Sequence, residues 1–413
     1  MPTYFLSVLR AAVLAVALLP ALGFAAPLSL EQALDLAVQR SELARSARAG
    51  ALSAAETARA AAQLPDPTLR AGVDNLPLTG SDRLSTTRDS VTMKRIGISQ
   101  EWLSSKKRAA RQAAADALFR REDLAAQAAN AEVRVQTALA YLDVFFASET
   151  LRLSTVAEHH LHEELAAAKA RISSSNASSQ EVLALSSSLG LAEDESEEVR
   201  QQQSAASVAL ERWVGLRIDE VATPTSVPQI GEQAFVENHP MVLLAQRDAD
   251  VARQHVALAA ANRKPSWTWD VSYGQRTGYS DMVSVGVSIP LPIAPAQRQD
   301  RETAAKLALV DKAEASLAET LRTAAAEYRT LSSDAGRLAE RMQRFQTAVL
   351  IPAQQRSAVA LAGYRSNQLS LTTLFEARHM EVEAERKLLA LQRDLAKAQL
   401  MLAFKPLLNG GDQ

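Results

Sequence analysis

The chain has 413 residues, with 45 basic against 47 acidic side chains, 5% aromatic residues and no cysteine. The missing cysteines exclude disulfides, thiolate metal centres and a cysteine nucleophile, and the balanced charge carries no nucleic-acid footprint. A chain of this length has room for two or three ordinary domains or for one elongated one.

The first 25 residues read as a signal peptide (residues 1–25). They carry one charge, Arg10, an apolar run from Ala11 to Leu19, a break at Pro20, and the small-x-small end Gly23-Phe24-Ala25. The apolar run is too short for a membrane span, and the mature chain is expected to start at Ala26. No later run approaches the roughly 18–20 apolar residues of a membrane helix, so a helical inner-membrane protein is excluded. Without cysteine there is also no residue to acylate behind the signal.

The rest repeats itself. A helix is expected from Glu31-Gln32-Ala33 to Leu64, ending at Pro65-Asp66-Pro67, and another from Glu232-Gln233-Ala234 to Arg263, ending at Lys264-Pro265. Each break leads into a strand, since proline ends helices. Thr68 to Val73 alternates, with Leu69, Ala71 and Val73 on one face. Trp267 to Tyr273 alternates with Trp267, Trp269, Val271 and Tyr273 on one face. Val91 to Trp102 is the expected partner of the first strand, and Met282 to Pro290 of the second. Ile96-Gly97-Ile98-Ser99 matches Val285-Gly286-Val287-Ser288. The loops between the partners, Asp74 to Ser90 and Gly274 to Asp281, are polar.

After each hairpin the pattern predicts a very long helix that turns back. A helix of about 68 residues spans about 100 Å at 1.5 Å per residue. The corners read Ile172-Ser-Ser-Ser175-Asn-Ala-Ser178 and Tyr364-Arg-Ser-Asn367-Gln-Leu-Ser370, at a constant offset of 192 residues. Ser178 and Ser370 suit the N-caps of return helices running to about Gly215 and Phe404. Alanine runs such as Ala113-Ala114-Ala115 and Ala324-Ala325-Ala326 favour helix and let helices approach closely. The expected division is a first repeat over residues 26–222 and a second over 223–413, each a helix, a β-hairpin and a long helical hairpin.

Four strands cannot close a barrel, yet open sheet edges are forbidden in lipid. The simplest answer is a barrel shared between chains; the alternative is that each hairpin packs on its own helices in a soluble domain. The strands match the roughly 9–11 residues of an outer-membrane strand, and Trp102, Trp267, Trp269 and Tyr273 supply interface aromatics.

This ordered, duplicated set resembles the outer-membrane efflux proteins of the TolC-like family, over nearly the whole mature chain. Locally the resemblance rests on Leu64-Pro65-Asp66-Pro67-Thr68-Leu69, Asn75-Leu76-Pro77, Pro352-Ala353 and the two corners. The Pro-Asp-Pro and Asn-Leu-Pro pair resembles the heavy-metal branch, of the CzcC and CusC kind. The resemblance implies a mainly α fold with a small transmembrane β part. Each chain would give a long α-helical hairpin barrel and four strands to a trimeric 12-stranded β-barrel. It also implies a homotrimer in outer-membrane lipid, a helical tunnel in the periplasm, a periplasmic adaptor and a proton-driven inner-membrane efflux pump. Such a duct carries no chemistry, so no enzyme and no cofactor are expected. The competing readings are the same fold serving drug or polypeptide export, a periplasmic adaptor, and a coiled-coil structural protein.

The corner residues Ser175, Asn176, Asn367 and Gln368 are the candidates for adaptor contact. The family usually has Gly where Ser175 and Asn367 stand, and Tyr where Ile172 stands. Its tip constriction maps by position onto Glu181, Thr373 and Glu376, of which Glu181 and Glu376 keep the charge and form rings in a trimer. Tyr364 matches a tip tyrosine that latches the closed state. No metal site is assigned, the weak candidates being His159, His160 and His162 in Glu158-His-His-Leu-His-Glu-Glu164. On a helix His159 and His162 share a face, as do His160 and Glu164, and these donors suit zinc, copper, nickel or cobalt. The acidic run Glu193-Asp194-Glu195 with Glu197-Glu198 reads as a solvated face.

Overall fold

A computed structural model of the chain describes residues 27–172, 179–218, 220–225, 227–366 and 368–407. The expected signal peptide lies outside them. In chain order the elements are α1 (Leu30–Arg40), α2 (Glu42–Ala60), β1 (Thr68–Asp74), β2 (Met93–Trp102), α3 (Ser105–Ile172) and α4 (Ser179–Val214). Then come α5 (Glu232–Glu237), α6 (Pro240–Asn262), β3 (Trp267–Gln275), β4 (Met282–Ser288), α7 (Gln299–Phe345), α8 (Ile351–Arg365) and α9 (Leu371–Phe404).

The helices that precede each hairpin are broken, where the sequence predicted continuous ones. Ser41 interrupts the first, and its hydroxyl accepts from the Ala44 amide at 3.2 Å as the N-cap of α2. His239-Pro240 interrupts the second. Proline has no N–H to give an interior turn but suits the first position of a helix, and His239 Nδ1 caps α6 by accepting from the Met241 amide at 3.3 Å.

Helix α3 runs uninterrupted for 68 residues from a Ser104 cap, whose hydroxyl accepts from Lys107 N at 3.2 Å. The second long helix is not regular. A π-helical turn, Gln346–Leu350, joins α7 to α8 immediately before Pro352. The wider turn accommodates the carbonyl that a mid-helix proline cannot pair and would otherwise crowd. Ser370 caps α9 as the sequence predicts, its hydroxyl accepting from Thr373 N at 3.2 Å.

The chain forms two compact units. One comprises Met1–Leu36 with Ala140–Ser226, the other Ala37–Leu139 with Val227–Gln413. In the first, Leu28 and Val221 form a parallel bridge, and the fully buried Tyr141 hydroxyl lies 2.8 Å from Leu28 O and 2.7 Å from Ala222 O, donating to the pair. In the second, α6 and α9 pack along α7, and α9 also packs on α8. Leu371, Leu374, Ala377, Ala384, Leu391, Leu395 and Ala398 form the buried seam of α9, and Ala44, Ala51 and Ala58 are buried on α2. Steps of three, four and seven residues are those of coiled-coil packing. Tyr328 of α7 donates to Ile230 O at 3.1 Å, two residues before α5, just as Tyr141 of α3 meets Leu28, two residues before α1.

All four strands lie in the second unit as one antiparallel sheet in the order β1-β2-β3-β4. The strand Met282–Ser288 therefore finds its expected neighbour in Trp267–Gln275, and the two hairpins join through β2 and β3.

Candidate functional site

The register fixes which side chains share a sheet face. Leu69 opposes Ile98, Ile98 opposes Val271, and Val271 opposes Val285. The next row on that face is Ala71, Ile96, Tyr273 and Val283. Trp102 opposes Trp267 with ring centroids 6.4 Å apart, and Trp269 opposes Val287. One face is thus apolar apart from Gln100, opposite Trp269, and Lys94 at the hairpin end. The other carries Arg70, Arg95, Ser99, Asp270, Ser272, Ser284 and Ser288.

The apolar face is bare. Val283 and Val285 are 70% and 73% exposed, and Leu69, Ile96, Ile98, Trp102, Trp267, Tyr273 and Val287 are exposed with them. Soluble monomers rarely expose contiguous apolar patches beyond a few hundred Å². Within the chain β1 and β4 are paired on one side only, so each leaves a row of backbone donors and acceptors open. The aromatics sit toward both ends: Trp102, Trp267 and Trp269 beside the helices, Tyr273 and Tyr279 at the opposite hairpin end.

The polar face is tight. A Cβ on Gly97 would lie 2.6 Å from Ser272 Cβ and 2.8 Å from Val271 O, and a Cβ on Gly286 would lie 2.5 Å from Asp270 Oδ1. The matched Ile-Gly-Ile-Ser and Val-Gly-Val-Ser segments therefore hold glycine where neighbouring strands leave no room for a side chain.

The two proline motifs brace the β1–β2 hairpin at its two ends. Asn75 takes a left-handed backbone (φ 56°), which asparagine tolerates. Its Nδ2 donates to Val91 O at 3.3 Å, and Thr92 Oγ1 donates to Asn75 O at 3.0 Å. Gln100 Nε2 donates to Pro65 O at 2.6 Å, tying the Pro-Asp-Pro break to β2. Where helices meet strands, Lys107 Nζ donates to Ser266 Oγ at 2.9 Å. Burial, then the Arg111 charge, hold this lysine below its ordinary value against the pull of Glu101.

Of the corner candidates, Ser175, Asn176 and Asn367 lie outside the described residues. Gln368 is exposed, and its amide donates to Gly363 O at 2.8 Å. Gly363 carries no signal in the sequence; a Cβ there would lie 2.6 Å from Leu369 Cδ1, so glycine lets Leu369 fold back over the end of α8. Tyr364 is half-buried in the last turn of α8, and Glu376 is exposed near the start of α9. Glu181 is half-buried in the first turn of α4.

The three histidine candidates separate. His159 and His160 are exposed and both face Glu163, at 3.4 and 3.6 Å. His162 instead meets Glu193 of α4 at 3.4 Å, so one member of the acidic run is turned toward α3 rather than only toward solvent. A group with no sequence signal beyond Pro240 is His239, Glu327 and Lys405. His239 Nε2 lies 3.3 Å from Glu327 Oε2, and Lys405 pairs with the same carboxylate.

No family model and no curated protein matches the sequence. Solved structures do match. The outer membrane protein VceC from Vibrio cholerae superposes with a TM-score of 0.75 at 18% identity, over 91% of this chain and 96% of that one. The CmeC outer membrane channel of Campylobacter jejuni gives a TM-score of 0.77 at 15% identity, over 93% and 87%. CusC, whose structures describe folding and transmembrane channel formation, gives 0.76 at 15% identity, over 91% of each chain. With its helical hairpins and, among the described residues, one four-stranded antiparallel sheet, the chain has the fold of these proteins.

Proposed function

We propose that the protein is the outer-membrane exit duct of a tripartite efflux system. Three copies close a 12-stranded barrel in outer-membrane lipid, each adding the four strands β1 to β4. The helices extend into the periplasm as a tunnel, and the corner holding Gln368 docks a periplasmic adaptor linked to a proton-driven inner-membrane pump. The duct is not an enzyme. Glu181 and Glu376 ring its tip, and Tyr364 takes part in the latch.

The observation that carries this reading is the sheet with one bare apolar face, one polar face and two open edges. Lipid covers the first, a water-filled lumen wets the second, and copies of the chain pair the third. Among the described residues no helix is long and apolar enough to cross a membrane. The likeness in fold to VceC, CmeC and CusC supports the same reading. The duplicated order of helices and hairpins supports an origin in two repeats, residues 26–222 and 223–413.

The cargo we assign is heavy-metal cations, from the resemblance of the Pro65-Asp66-Pro67 and Asn75-Leu76-Pro77 motifs to the heavy-metal branch; both motifs brace the β1–β2 hairpin. The test is growth of a deletion strain on cobalt, zinc, cadmium, nickel, copper and silver against a panel of hydrophobic drugs. Hypersensitivity confined to metals and rescued by the intact gene is expected. Hypersensitivity confined to drugs would keep the duct and replace the cargo.

A further inference from the structure

We propose that the first helical hairpin holds a divalent-cation site made of Glu158 and His162 on α3 and Glu193 on α4. Glu158 and His162 are one helical turn apart, which puts them on one face. The return helix brings Glu193 to them, and one donor atom from each of the three lies within 4.8 Å of the others. His162 Nε2 and Glu193 Oε1 are already 3.4 Å apart. Donors around a tetrahedral zinc stand about 3.3 Å apart, from metal–ligand bonds of about 2.0–2.2 Å, so a cation needs only a small inward movement of side chains.

Glu158 carries the second observation. Its side chain is only 20% exposed, and its Oε2 is shut off from solvent without a hydrogen-bond partner. Arg200 comes no nearer than 3.9 Å and is itself paired with Glu197. A carboxylate oxygen withdrawn from water, with no hydrogen bond and only a stretched ion pair to Arg200, is costly, and a cation bound directly to it would offset that cost. His162 and Glu193 are half exposed, at 54% and 50%, so solvent supplies the remaining ligands and the route of entry.

One imidazole and two carboxylates select borderline cations: zinc, cobalt, nickel or cupric ion. The three donors include no sulfur, so they disfavour silver and cuprous ion. Each chain holds its own site, and the cation clips α3 to α4. The site goes beyond the duct reading and does not depend on the cargo. Binding without a metal phenotype would leave the site standing alone, and a metal phenotype without binding would leave the duct standing alone.

The experiment is zinc binding to the purified full-length protein in detergent, by competition with a chromophoric zinc indicator. Saturable binding of one zinc per chain is expected. Glu158→Gln, His162→Gln and Glu193→Gln should each weaken it at least about tenfold, as loss of even an outer-sphere partner costs this much. The double variant His159→Gln, His160→Gln should bind like wild type, since both rings face Glu163. The absorption spectrum of added cobalt should change in His162→Gln and not in the double variant. His162 and Glu193 are solvent-facing, so their variants keep the fold, which far-ultraviolet circular dichroism checks. Absence of saturable zinc binding, wild-type binding by the Glu158→Gln, His162→Gln and Glu193→Gln variants, or loss of binding in the His159, His160 control would each overturn the site.

Discussion

His239 joins local and tertiary structure through its two ring nitrogens. Nδ1 accepts from the Met241 amide, so the ring proton of the neutral form sits on Nε2, toward Glu327. Protonating Nδ1 would set a donor against a donor and undo the cap of α6. Burial above all, and then the Lys405 charge, hold this histidine below its ordinary value, with Glu327 pulling the other way. A histidine lowered in the folded state contributes stability that is present above the unfolded value of about 6.5 and is lost as pH falls from there toward the folded value. The thermal midpoint should therefore fall on acidification through this window. His239→Asn, which keeps an N-cap oxygen but cannot titrate, should show a shallower fall. Identical pH slopes for the two proteins would remove His239 from the account.

At the scale of elements, glycine sets how closely strands approach. Gly97 and Gly286 lie on the polar face at positions where a side chain would strike Ser272 with the Val271 carbonyl, and Asp270, respectively. Gly97→Val should cost about 1–3 kcal/mol, the range for forcing extra carbons into a filled space, read as a lower midpoint of thermal unfolding in detergent. Gly72, on the same face, has nothing within 4 Å of where a methyl group would sit, so Gly72→Ala is the control and should be near neutral. Equal losses would mean that backbone freedom, not space, is at stake. These strands are legible because period-two alternation survives in Trp267–Tyr273 and Met282–Ser288. The union of β2 with β3 is not, because the helices α3 to α6 separate them and no local pattern encodes that pairing. The helix breaks escape the sequence pattern for different reasons. Pro240 is a visible signal inside an otherwise helical stretch, whereas Ser41 interrupts the helix by a cap that alanine-rich flanks conceal. The π-turn before Pro352 depends on backbone accommodation, which periodicity does not report. Likewise, spacing alone puts Glu158 with His162, but only the return of α4 adds Glu193, from a run that reads as uniformly solvated.

At the scale of the whole molecule the chain is incomplete by its own surface: a sheet with two open edges and a bare apolar face is one third of a barrel in the proposed assembly. Val285 lies at the middle of β4 on the apolar face and is 73% exposed. Its neighbour Ser284 opposes Ser272 on the polar face. In lipid, an arginine at mid-depth on the outer face of a barrel costs about 2–4 kcal/mol, while the lumen side tolerates charge. Because each trimer carries the substitution three times, Val285→Arg should abolish trimers and outer-membrane recovery, and Ser284→Arg should preserve both. Membrane fractionation and light scattering of the detergent-purified protein measure the two outcomes. If the protein were instead a soluble coiled-coil molecule, Val285→Arg would improve its solubility and leave its oligomeric state untouched. Equal damage from both substitutions would mean that the two faces do not differ in solvent, and the barrel reading would fail on the very asymmetry that motivates it.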